Sequence, residues 1–152
     1  MSGRDIVSEP LRGWRAWQVV ETRHGPALAS WCVSALWPAR RALTARCGLH
    51  GSRPVAHHVC GIHAFEARDD ALAYVEATHD GAPRLFVRRP VRALGIALGR
   101  VSGWGRAVAH TRGWRSEFAY PFDLELLKGD RALARALAGR YGVEVMPFPT
   151  DT

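Results

Sequence analysis

The sequence predicts an α+β domain: a mainly antiparallel sheet of about five to seven strands with two helices packed on it. Three observations predict this. From Val91 to Tyr120 the chain is dominated by residues that favour strands. Two stretches, one opening at Asp69 or Asp70 and one at Asp130, repeat apolar residues at helical spacing behind a residue suited to cap a helix. Between Arg46 and Phe65 one four-residue pattern occurs twice, as Cys47-Gly48-Leu49-His50 and Cys60-Gly61-Ile62-His63, which predicts a loop organised by a structural zinc ion.

Residues 1–11 are polar, contain Pro10 and read as a flexible arm before a single domain spanning 12–147, with 148–152 as a tail. Trp14 to Glu21 and Leu28 to Trp37 read as strands joined by a turn at His24-Gly25-Pro26, and Pro38 ends the second. Arg40 to Arg46 reads as a short helical turn leading to Cys47. The first helix carries Leu72, Tyr74 and Val75 and ends near His79-Asp80-Gly81. Leu85 to Arg88 reads as a strand, and Val91 to Val101 as another.

A hairpin follows from Trp104 to Tyr120. A three-residue loop, Thr111-Arg112-Gly113, places His110 opposite Trp114 and Trp104 opposite Tyr120, so one face gathers Trp104, Val108, Trp114, Phe118 and Tyr120. Pro121 closes that strand. The second helix presents Leu133, Ala134, Leu137, Ala138 and Tyr141 as one stripe, with Gly142 as its C-cap, and Val143 to Met146 forms a last short strand.

Each Cys-Gly-aliphatic-His half sets a thiol and an imidazole three residues apart, so Cys47, His50, Cys60 and His63 supply the four ligands of a neutral tetrahedral site. His57 and His58 lie within the same loop and are alternates for either imidazole. The bland reading makes both cysteines small core residues and the histidines solvated.

Net charge is +7, but only Lys128 of the 21 basic residues is lysine, and the arginines are dispersed. Such a surface suits phosphate contacts, with Arg15, Arg106 and Arg115 on phosphates and Trp104 and Trp114 stacking bases; it is equally an ordinary solvated face. The motif Arg12-Gly-Trp-Arg15 recurs as Arg112-Gly-Trp-Arg115. Three cysteines, an odd count, and a polar start argue for the reducing cytoplasm, and no apolar run is long enough for a membrane span.

The words Cys60-Gly-Ile-His-Ala64, Gly103-Trp-Gly-Arg106 and Gly113-Trp-Arg-Ser-Glu-Phe-Ala-Tyr-Pro121 resemble a group of small actinobacterial proteins, and the resemblance implies a bacterial cytoplasmic setting without implying an activity. Nucleophile elbows and phosphate loops are absent from the sequence. On the expected register His110 and Glu117 point to opposite faces, which separates the most obvious acid–base pair, with Arg115 as its anion holder. The sequence therefore predicts a non-catalytic interaction or regulatory module with a protein partner. A nucleic-acid-binding protein is the runner-up, and a zinc enzyme with one water ligand stands third.

Overall fold

The computed structural model describes residues 10–31, 35–47, 51, 53–54, 60–78 and 92–148. Its framework is one long antiparallel hairpin, β5 (Ala93–His110) and β6 (Gly113–Lys128). β1 (Leu11–Thr22) pairs along the free edge of β5, and β2 (Gly25–Ser30) pairs with β1. The other edge of β6 is shared in succession by β4 (Ile62–Phe65), β3 (Leu43–Thr44) and β7 (Glu144–Met146), of which only β7 runs parallel. With α1 (Arg68–Thr78) and α2 (Arg131–Tyr141), these seven strands make an α+β fold whose sheet is antiparallel but for that one pair. Among the described residues no helix is long and apolar enough to cross a membrane.

β4 also bridges to β1, at Trp14 and Phe65. The pairings β1–β5–β6–β4–β1 therefore close one end of the sheet into a ring. Trp114 fills that ring: it is 6% exposed and its indole N–H donates to the Arg12 carbonyl at 3.1 Å. The neighbouring strands make room by carrying almost no side chain. A Cβ on Gly13 would stand 2.7 Å from the Ala64 Cβ and 2.9 Å from the Trp114 nitrogen, and one on Gly103 would overlap the indole itself. Burying a Trp of about 200 Å² contributes roughly 5 kcal/mol of transfer free energy.

This geometry explains the repeated Arg-Gly-Trp-Arg words. Gly13 approaches β4 from one edge and Gly113 from the other, where a Cβ would overlap the Ala64 carbonyl oxygen. Each glycine lets β4 come close, so the two copies clamp one short strand.

The hairpin register differs from the sequence expectation. Its connection is the two residues Thr111-Arg112, and His110 pairs with Gly113, Ala109 with Trp114 and Val108 with Arg115. Gly113 is required for its approach to β4 and not for a left-handed turn, which is why its position misled the register. A bulge then shifts the pairing between Trp104 and Ala107, with Gly105 at φ 76° taking the left-handed conformation that such bulges need. Trp104 consequently pairs with Phe118, and Val108, opposite Arg115, leaves the face assigned to it. His110, opposite Gly113, and Glu117, four positions further along β6, fall on one face of the hairpin.

Four further expectations are corrected. The first turn is Arg23-His24, with Gly25 at φ 103° already opening β2, and β2 ends at Ser30, Leu36 returning only as a bridge to Ala29. Arg40 to Arg46 contains no helical turn; Arg40 takes φ 61° and β3 follows. β6 runs on through Pro121, which sits opposite Val101 beside a register shift, where a residue without N–H is tolerated. The segment 85–88 lies outside the described residues.

The helices cover opposite faces of the sheet. On one side Ala71 and Val75 of α1 join Ala16, Trp31 and Leu98. On the other, Ala134, Leu137, Ala138 and Tyr141 of α2 join the main core of Trp17, Val19, Leu28, Leu124 and Val145. The α2 caps are those expected: Leu133 N–H donates to Asp130 Oδ1 at 2.9 Å, and Gly142 at φ 69° closes the C-terminus. Asp69 and Asp70 lie inside the first turn of α1, which begins at Arg68. Tyr141 ties α2 to the sheet, its hydroxyl accepting from Leu28 N–H and donating to the Trp37 carbonyl, each at 2.8 Å.

Candidate functional site

A cleft of about 760 Å³ opens where β1, β4 and the ends of β2 and β3 come together. Ala45 N–H donates to the Glu117 carbonyl, while Ile62 pairs with Ser116, so the chain leaves the sheet at Ala45 and rejoins it at Ile62, end to end along one edge of β6. The cleft lies beside this junction. Its apolar walls come from Trp31, Leu43, Phe65 and Tyr74, and its polar lining from Arg15, Arg46, Cys60, His63 and His110. Among the described residues no carboxylate lines it.

The sheet fixes the orientation of several of these groups. Arg15, on β1, donates through Nη1 to the His63 carbonyl at 3.0 Å, and its guanidinium lies over the Trp37 ring, 4.9 Å from the centroid. The strand position and the aromatic contact together hold the cation in place. Trp31 donates from its indole to Thr78 Oγ1, which itself donates to the Tyr74 carbonyl, so α1 and the end of β2 form one wall. Phe65 and Tyr74 pack with ring centroids 5.8 Å apart. On the opposite lip the His63 and His110 rings lie 6.0 Å apart.

The residues singled out by sequence are divided among different places. Cys60 and His63 both line the cleft. Cys47 exchanges two backbone hydrogen bonds with Gly51, at 2.8 and 2.9 Å, while His50, His57 and His58 lie outside the described residues. Among the described residues no three His, Cys, Asp or Glu side chains stand close enough together to hold a metal.

The arginine and tryptophan set is split as well. Trp114 is inside the strand ring, and Arg115, 5% exposed, donates to the Cys60 carbonyl at 2.7 Å. Arg106 is exposed with its backbone N–H on Glu117 Oε1, and half-exposed Trp104 stacks on Phe118. Of the five, Arg15 alone lines the cleft.

Sequence reasoning did not assemble Trp31, Arg46, Tyr74 and His110 with His63. They come from separate elements with no common spacing, and the pairing of His63 with His110 depends on which strands flank β6. The one legible signal was negative: Arg46 and His63 bracket a stretch without a single acidic residue.

No family model, curated protein or solved structure matches this chain.

Proposed function

We propose that the protein is a binding and regulatory module whose cleft takes a small organic anion with an aromatic or apolar body. The observation that carries the reading is the lining: Arg15, Arg46, His63 and His110 against Trp31, Phe65 and Tyr74, with no carboxylate among the described residues. A volume of about 760 Å³ is that of a small-molecule site, and apolar walls with a few oriented polar groups are what such sites use. Arginine suits a carboxylate or phosphate because its fork donates two parallel hydrogen bonds.

Thermal unfolding with phenyl phosphate and benzoate, against phenol and benzamide as neutral analogues, tests this. An anion at 100 times its Kd stabilises by about 2.7 kcal/mol. That raises Tm by roughly 5 to 10 °C for a domain of this size. The exposed Arg46→Glu variant should lose the shift. Equal stabilisation by the neutral analogues, or an Arg46→Glu response like that of the wild type, overturns the reading.

The structural zinc belongs to this proposal as a staple of the segment between Ala45 and Ile62, the two ends of which lie next to each other along β6. Zinc counted per purified chain checks it. The nucleic-acid alternative draws its support from the +7 charge and from exposed Arg106, while burial of Trp114 and Arg115 removes two of its five named contacts.

A further inference from the structure

We propose that His63 and His110 together bind a divalent transition-metal ion at the lip of the cleft, a site that shares His63 with the Cys47, His50, Cys60 and His63 set but needs neither of its thiols. The two residues belong to β4 and β5, which flank opposite edges of β6. His63 pairs with Arg115 and His110 pairs with Gly113, and strand alternation puts both imidazoles on the face that Gly113 and Arg115 share. Their strands are about 9.6 Å apart, two strand spacings. The rings nevertheless close to 6.0 Å between centroids, tilted by 47°. Gly113, between them, contributes no side chain to block the approach.

Two imidazole nitrogens at about 2.0–2.1 Å from one tetrahedral ion bring ring centres to roughly 5 Å. The observed separation is about one ångström longer, a difference that small χ rotations of two exposed side chains can close. Imidazole pairs suit Zn²⁺, Ni²⁺ and Cu²⁺ better than Mg²⁺ or Ca²⁺. The backbone of His63 is held by the Arg15 hydrogen bond to its carbonyl, so one ligand is anchored before an ion arrives. Among the described residues no third His, Cys, Asp or Glu completes a group of three. The site does not depend on an organic anion occupying the cleft, because the ion is measured alone.

Chelator-treated full-length protein titrated with ZnCl₂ or NiCl₂ by calorimetry, without added anion, provides the test. It is run first in a Cys47→Ala, Cys60→Ala background, which removes both thiols of the four-ligand set. One ion per chain should bind there, and both His63→Ala and His110→Ala should weaken it by at least about tenfold, the lower bound for changes that touch only a ligand's supporting shell. His110→Gln, which keeps the strand and adds no bulk, should behave like His110→Ala. Absence of binding in the background without the two thiols overturns the proposal. So does undiminished binding by both His110 variants, which would place the ion elsewhere.

Discussion

Replacing Gly103 by alanine tests whether Trp114 truly plugs a closed ring of strands. Gly103 has no left-handed φ, so its backbone would accept a side chain; only the space denies it. The added methyl would overlap the indole and stand 2.8 Å from Ser116 Oγ, so Trp114 must move. Overpacking of this kind costs about 1–3 kcal/mol. Displacing the indole also weakens the N–H bond to the Arg12 carbonyl, worth about 1 kcal/mol. The loss of glycine's freedom in the unfolded chain offsets about 0.4–1 kcal/mol. The sum is a destabilisation of about 1–4 kcal/mol, read by urea denaturation at unchanged m. In a Trp114→Leu background the same substitution should lose most of its cost, giving a coupling above about 1 kcal/mol between the sites. A neutral or stabilising Gly103→Ala, or costs that simply add, would refute the plug.

Gly139 is the contrasting case: a Cβ there meets nothing within 4 Å among the described residues, so Gly139→Ala should stabilise α2 by about 0.5–1 kcal/mol in the same assay. Asp130→Ala removes the oxygen that caps Leu133 N–H and should cost about 1 kcal/mol. Tyr141→Phe leaves the buried Leu28 N–H and Trp37 carbonyl without the shared hydroxyl, a loss of about 1–3 kcal/mol by thermal or urea unfolding. The same variant reports on pH. Burial raises the Tyr141 hydroxyl above its ordinary pKa of 10.0, partly opposed by the Leu28 hydrogen bond. Above pH 10 the unfolded chain therefore releases this proton before the folded one does, and stability should fall with rising pH. Tyr141→Phe should flatten that alkaline slope relative to wild type, and identical slopes would reject the assignment.

Local chemistry was legible where one short stretch contains its own explanation. Asp130, the Leu133-to-Tyr141 stripe and Gly142 specify α2 completely, since cap, apolar face and stop lie within thirteen consecutive residues. The sheet's strand-rich character was equally plain from Val91 onward. The hairpin register was not, because a glycine before Trp114 has two physical meanings, a left-handed turn or a close approach. The sequence favours the first, and β4 imposes the second. Pro121 was similarly ambiguous: it ends a regular ladder but fits beside a bulge, and the bulge arises only when β5 and β6 coil together.

The cleft shows the same division. The amino-acid order alone determined that His63 stands three residues after a cysteine, that arginine supplies nearly all the positive charge, and that each Trp at 14 and 114 follows a glycine. Tertiary structure decided that the two glycines face one short strand, that Trp114 is interior, and that His63 meets His110 beside Arg15. The reason is distance along the chain. Caps and helical stripes are fixed by neighbours within a few residues, whereas His63 and His110 are brought together by pairing on opposite edges of a third strand, which no local spacing encodes.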